Sequence, residues 1–341
     1  MPTPSSADRP GAPIWLGLLI LYVVWGSTYL GIAVAVDTIP PFLMAGVRFL
    51  IAGLVLLAWS VVRGGPDLKF PSPREWRDSS IVGAMLLGGG MGMVAFGEQT
   101  VPSGITALII ALMPVWVAIL SRLFLKERLP RVAIAGIVLG FVGVAILIGP
   151  SAVGGTGALE PLALAAILFS PISWSSGSLF ASHRASLPSH PLVATGAQML
   201  TGGLVLLAMS LVSGELVGFR IEGVSTDSLI ATLYLTVIGS LLAFTAYGWL
   251  LRVAPLPLIA TYAYVNPVVA VILGAIVLSE PIEPRTLIAG AVIVVGVAVI
   301  VSARGRMAGP RTQAASSDGR SREPIAAPTA IPRPSTDPTA G

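Results

Sequence analysis

The sequence predicts an all-α membrane protein of ten transmembrane helices arranged as two inverted five-helix repeats, and three observations predict it. The 341-residue chain is 55% hydrophobic and only 11% charged, against roughly 25% charged residues in an ordinary soluble domain. Its mean hydropathy is +0.88, and its apolar residues run on for about twenty positions at a time, the length a helix needs to cross about 30 Å of hydrocarbon. Stretches of the first half also recur in the second half, which divides the spans into two sets of five.

In chain order the apolar stretches lie near 14–36, 41–62, 79–97, 102–125, 130–149, 159–181, 191–213, 228–251, 256–279 and 284–302. The first follows a short segment with Arg9. Its apolar part is too long for a secretory leader and nine more spans follow, so it is expected to remain in the protein. Orientation follows from Lys and Arg, which resist translocation. Arg63, Lys69, Arg74 and Arg77 follow span two, and Arg122, Lys126, Arg128 and Arg131 join spans four and five. Arg184 and Arg252 fall on the same side, whereas the opposite loops hold Arg220 and Arg285 beside Asp37, Glu215, Glu222, Asp227 and Glu283. Both termini are therefore expected in the cytoplasm. From 303 to 341 the chain is rich in Pro, Ser, Ala and Arg without apolar periodicity, which predicts a disordered cytoplasmic tail.

Composition removes several chemistries. With no Cys there are no disulfides, thiolate metal sites or Cys nucleophiles, and two His make a metal cage a poor expectation. No cofactor is expected. The pI near 9.8 comes from loops and tail without a basic, aromatic-interleaved face, so it reads as a topology signal and not as nucleic-acid binding. The run Gly88-Gly89-Gly90-Met91-Gly92 lies inside an apolar span and lacks a following Lys-Ser or Lys-Thr, so it reads as close helix packing and not as a phosphate loop. No ATP-driven mechanism is indicated on this chain.

Residues 42–58 align with 192–208 without a gap, matching Gly46 with Gly196, Leu50 with Leu200, Gly53 with Gly203 and Leu54–Ala58 with Leu204–Ala208. Pro114-Val115 matches Pro267-Val268, Glu127 matches Glu280, and Ile134-Ala135-Gly136 matches Ile288-Ala289-Gly290. Five spans per copy is an odd number, so the second copy must enter the membrane from the opposite side. Two homologous bundles facing opposite ways have two nearly equivalent conformations, the physical basis of alternating access.

Over residues 14–302 the chain resembles the EamA-type permeases of the drug/metabolite transporter superfamily, most closely the YedA-like drug/metabolite exporters. The resemblance rests on Trp25-Gly26-Ser27-Thr28-Tyr29, Ala45-Gly46-Val47-Arg48-Phe49, Val101-Pro102-Ser103-Gly104 and Thr261-Tyr262-Ala263-Tyr264-Val265-Asn266-Pro267. It implies two EamA repeats, here 14–149 and 159–302, an inner-membrane location, and export of small metabolites or toxic compounds.

Arg48 is the basic residue set well inside a span, roughly 12 Å deep at about 1.5 Å per residue. It either faces a wet cavity, binding an anion or pairing with Glu98, or it snorkels outward or serves a structural ion pair. Its repeat counterpart is Gln198, so two gates would differ in charge. Pro114 and Pro267, at equivalent positions, would free the carbonyls of Ile110 and Ala263 and act as pivots or binding elements, or as static kinks. Asn266 could satisfy such a carbonyl or contact substrate. Trp25, Tyr29, Trp174, Tyr262 and Tyr264 are candidates to line a pocket, the alternative being an interfacial belt. Glu98 is a candidate gate or proton-sensitive group, whereas Glu127 and Glu280 are expected to anchor loops or helix starts.

The partners expected are a small-molecule substrate and the lipid bilayer, with a homodimer left open. A facilitator or exchanger without proton coupling fits the same residues. A membrane-embedded enzyme acting on lipid-linked substrates would need clustered polar residues, and His183 is a lone candidate. A scaffold or sensor acting through the tail is the third reading.

Overall fold

The structure, a computed structural model, describes residues 11–63, 69–127, 129–149, 160–254, 256–259 and 261–307. Arg9, Arg128 and the tail from 308 to 341 lie outside the described residues. Nine described helices are long and apolar enough to cross a membrane: α1 (Ala12–Ala35), α2 (Pro41–Arg63), α3 (Pro73–Gly97), α4 (Ser103–Phe124), α5 (Arg131–Ile148), α6 (Pro161–His183), α7 (Pro191–Val212), α8 (Thr226–Tyr247) and α10 (Pro284–Ser302). The tenth, α9 (Tyr262–Val277), is shorter and follows a single turn, Leu256–Ile259. The fold is therefore the expected one of ten helices, five in each of two oppositely inserted repeats.

Local chemistry explains where the helices start. Pro41, Pro73, Pro161, Pro191 and Pro284 stand at the first helical position, where a missing N–H costs nothing and a fixed φ is already helical. Ser72 and Glu75 add a capping box to α3: the Ser72 hydroxyl accepts from the Glu75 N–H at 3.3 Å and the Glu75 carboxylate accepts from the Ser72 N–H at 2.7 Å. After α7 the chain turns through Gly214 at φ 78°, a conformation that a side chain would strain.

Glycines decide which helices touch. A Cβ on Gly53 of α2 would lie 2.5 Å from the Leu200 nitrogen and 2.9 Å from the Gly196 oxygen of α7. A Cβ on Gly203 of α7 would lie 2.7 Å from the Leu50 nitrogen and 3.0 Å from the Gly46 oxygen of α2. The glycines matched across the repeat therefore face each other in one seam. A second seam joins α5 to α10, where a Cβ on Gly136 would meet the Gly296 oxygen at 2.7 Å and one on Gly296 would meet the Gly136 oxygen at 2.8 Å. In lipid there is no hydrophobic drive between helices, so such close approach of backbones is what holds them. The run at 88–92 works likewise: Gly89 and Gly90 make room for Ser173 and Trp174 of α6, and Gly92 for Leu206 of α7.

Carboxylates at the loops then tie one repeat to the other. Glu215, after α7, accepts from the Phe42 and Leu43 N–H groups of α2 at 3.0 Å each. Glu280, after α9, accepts from the Ser103 and Gly104 N–H groups at the start of α4 at 2.8 and 3.2 Å. Its expected role as an anchor of a helix start is thus found, and the helix it anchors belongs to the other repeat. Large side chains such as Leu162, Phe169, Leu204, Leu211, Ile276 and Val295 remain exposed on the outside, as a surface solvated by lipid requires.

Two departures from regular helix were not expected. Leu21–Trp25 in α1, Ala84–Gly92 in α3 and Leu235–Leu242 in α8 are π-helical, each wide turn rotating the residues beyond it to a new face. The Ser240 hydroxyl supports one of them by donating to the Leu235 carbonyl at 3.0 Å. The expectation for Pro114 needs correction: α4 breaks at Ala111–Leu112 and restarts at Met113, leaving Pro114 in the first turn of the second piece and not in mid-helix. Pro267 does lie inside α9, and Pro171 lies inside α6.

Candidate functional site

A cavity of about 110 Å³ opens between the repeats. Trp25, Thr28 and Tyr29 of α1, Arg48 of α2, Met91 and Val94 of α3 and Pro114 of α4 line it from the first repeat. Ser170 and Trp174 of α6, Gly239 and Phe244 of α8, and Tyr262, Asn266 and Pro267 of α9 line it from the second. The π-helical stretches of α1, α3 and α8 each reach its wall, at Trp25, Met91 and Gly239.

One part of the wall is aromatic. The Trp25 ring meets Tyr262 edge-on at 5.0 Å, Tyr247 at 5.2 Å and Phe244 edge-on at 5.5 Å between centroids. The Tyr22 hydroxyl and Thr261 Oγ1, 2.5 Å apart, pin α1 to the start of α9 behind this group. Ser27 Oγ and the Tyr234 hydroxyl, 2.6 Å apart, pin α1 to α8. Trp174 stands on α6 against Gly90, which lacks the Cβ that would push it away. Such a wall binds flat apolar or cationic groups and offers tyrosine hydroxyls as polar handles.

Another part is cationic. Arg48 is 2% exposed, its Nε donates to Ser240 Oγ at 3.0 Å, and its guanidinium lies 4.5 Å from the Phe49 ring centroid. It forms no ion pair among the described residues, where the salt bridges are Arg77 with Asp78 and Arg285 with Glu283. The alternatives of an outward snorkel and of a pair with Glu98 therefore both fall: the side chain is buried, and Glu98 has no partner. A charge at the centre of a span costs at least about 2.5–3.5 kcal/mol, and among the described residues no carboxylate offsets this one. Nearby, the buried Asn266 Oδ1 has no hydrogen-bond partner.

The structure thus gathers Trp25, Tyr29, Arg48, Trp174, Tyr262, Asn266, Pro114 and Pro267 around one space, together with Ile110 and Ala263 whose carbonyls the prolines were expected to free. It leaves three candidates off the wall. Tyr264 packs against the large apolar cluster instead. Gln198 lies on the α7 face whose backbone oxygen abuts Gly83 of α3. Glu98 lies in the turn after α3, 5% exposed. Sequence reasoning missed Ser240, Phe244 and Tyr247. Their only signal was the three-residue spacing of Phe244 and Tyr247 on one apolar helix, which any lipid-facing stripe shares.

Comparison with known proteins agrees with this architecture. The model of the EamA-like transporter family matches residues 13–149 and again 161–302. The uncharacterized inner membrane transporter YedA of Escherichia coli (strain K12) is 38% identical over 291 residues, spanning 84% of this chain and 90% of its own. Protein PecM of Dickeya dadantii (strain 3937) is 29% identical over 281 residues, 82% of this chain and 88% of its own. The uncharacterized transporter YvbV of Bacillus subtilis (strain 168) is 27% identical over 300 residues, 85% and 91% respectively. A solved structure described as "Crystal structure of protein" shares the fold at a TM-score of 0.58 and 20% identity, covering 86% of this chain and 99% of that one.

Proposed function

The chain belongs to the EamA-like transporter family, and from that premise we propose that it exports small organic metabolites or drugs across the inner membrane by alternating access. The halves 14–149 and 159–302 rock about the cavity between them, with both termini in the cytoplasm. The observation that carries this reading is the position of Arg48: a buried cation without a carboxylate partner, on a wall shared by both repeats. Its missing counter-charge fits a substrate that brings one. A compound with a carboxylate or other strong acceptor at one end, a donor beside it and an apolar or aromatic body would set its acceptor on Arg48, its donor on Asn266 Oδ1 and its body against Trp25, Tyr262 and Trp174.

The family is one of transporters and not of membrane enzymes acting on lipid-linked substrates. A facilitator or exchanger without ion coupling would use the same cavity. Outward direction rests on the resemblance to exporters, the inner-membrane location on the similarity to the inner membrane transporter YedA, and the orientation on the basic loops.

The test is a metabolite and dye efflux screen in cells expressing the protein, repeated with Arg48→Ala and Trp25→Ala. The expected result is export of a set of amphipathic organic anions that falls in both variants. Unchanged fluxes for every compound would overturn the transporter reading, and flux retained in both variants would overturn the site.

A further inference from the structure

Away from the cavity, the turn that joins α3 to α4 holds a buried acid that the substrate site does not use. Glu98 is 5% exposed, and both its carboxylate oxygens are buried without a hydrogen-bond partner. Around it the packing is apolar: Val94, Ala95 and Val101 of the same segment are 2%, 1% and 2% exposed, and Gly97 abuts Ile167 of α6. The charged and titratable groups on the packed elements offer it no cation. Glu280, which acts on it from the α9–α10 turn, is itself an acid held by the Ser103 and Gly104 N–H groups. Tyr29 of α1 interacts with it electrostatically. Glu160, leading into α6, is bonded to the Ala163 N–H at 2.5 Å, and Arg48 of α2 donates to Ser240.

We propose that Glu98 is a proton-binding site, neutral while this end of the bundle is packed shut and ionised when the end opens to water. An ionised carboxylate with neither partner nor water is among the most costly groups a protein can bury, so in this packing the acid keeps its proton. Burial first, and the Glu280 charge second, hold the Glu98 carboxyl well above the ordinary carboxylate range. On opening, the carboxyl O–H bond breaks, the proton passes to an entering water molecule, and the carboxylate is left hydrated. Ser103 Oγ and Thr106 Oγ1, in the first turn of α4, are also buried without partners. Entering water would satisfy them too, so three neighbouring residues gain from the same opening. Tyr29 lines the cavity and also interacts electrostatically with this acid, which would link the proton to the substrate space. The coupling rests on the transporter reading, but the site does not.

The sign is fixed. A group whose pKa is raised in the closed form stabilises that form at low pH and ceases to do so as pH climbs through the raised value. Because the chain has no Cys, Val101→Cys supplies a single thiol at the closed end, and its reaction with a hydrophilic maleimide in nanodiscs measures opening. Rates are taken from about pH 6 to about pH 9 and divided by those of a free model thiol to remove thiolate chemistry. We expect the corrected rate to rise several-fold with pH, to keep that rise in Glu98→Asp, and to become slow and flat in Glu98→Gln. A pH profile identical in the protein with Glu98 and in Glu98→Gln would overturn the proposal, as would a rate that follows sodium at fixed pH. The infrared carbonyl band of a protonated carboxyl at neutral pH, lost in Glu98→Gln, is the second readout, and its absence from the parent would also overturn it. A failed efflux screen with these results intact would remove the transporter reading and leave the site.

Discussion

The α2–α7 seam and the cavity are built from the same repeat and obey opposite rules. In the seam the two copies agree: Gly46 and Gly53 meet Gly203 and Gly196, backbone against backbone. Around the cavity they agree at Pro114 and Pro267 and diverge at other wall positions. Arg48 on the wall corresponds to Gln198 off it, and, counting from the Pro114–Pro267 match, Tyr262 and Asn266 correspond to Ile109 and Met113. Symmetry is kept along the glycine seam, where two helices need equal faces, and is only partly kept on the cavity wall. A seam of glycines can also slide or pivot with little change in contact, whereas a wall of rings and one cation defines a place.

Four substitutions press on this contrast, beginning with the one expected to do most. Gly53→Val puts a branched side chain where even a Cβ would sit 2.5 Å from backbone. Overpacking costs about 1–3 kcal/mol where side chains can give, and backbone cannot, so we expect loss of the folded protein in detergent by size-exclusion chromatography. A monodisperse variant with the parent melting temperature would mean that the seam is not a fixed contact. Arg48→Met should lower transport of an identified anionic substrate by about 10- to 100-fold, the loss of about 1.5–3 kcal/mol of charged hydrogen bonding. The same change should raise the melting temperature, because a costly buried charge is gone. A drop in Tm would assign Arg48 to structure instead. Trp25→Ala removes the ring on which Phe244, Tyr247 and Tyr262 converge, and we expect KM to rise about tenfold with kcat little changed. Gln198→Ala should be the quietest, within about twofold of the parent in transport, as suits a position outside the wall. A loss comparable to that of Arg48→Met would restore Gln198 as a second gate and break the contrast.

Much of this was legible from residue types and spacing. Apolar run length gave the ten spans because lipid leaves a helix no other way to satisfy its backbone, and the glycine matches gave the repeat because close packing constrains identity at single positions. The candidate aromatics Trp25, Tyr29, Trp174 and Tyr262 were legible because rings deep inside a span are unusual. What failed was anything requiring phase around a helix. Tyr264, two residues from Tyr262, points elsewhere, and the π-helical turns in α1, α3 and α8 shift the faces of everything beyond them. The Arg48–Ser240 bond joins residues 192 positions apart, a separation no local pattern can signal.

By itself, then, the sequence determined the solvent of this protein, the number of its crossings and the existence of two copies, because these follow from hydrophobic length and from identity at matched positions. The tertiary structure decided which acid faces which helix and which side chains share a space. It set Glu280 on the start of α4, left Glu98 without a hydrogen-bond partner, and placed Arg48 on the cavity wall and Gln198 off it. Those outcomes depend on how helices rotate against one another in three dimensions, and rotation is set by the sum of many contacts that no single stretch of chain contains.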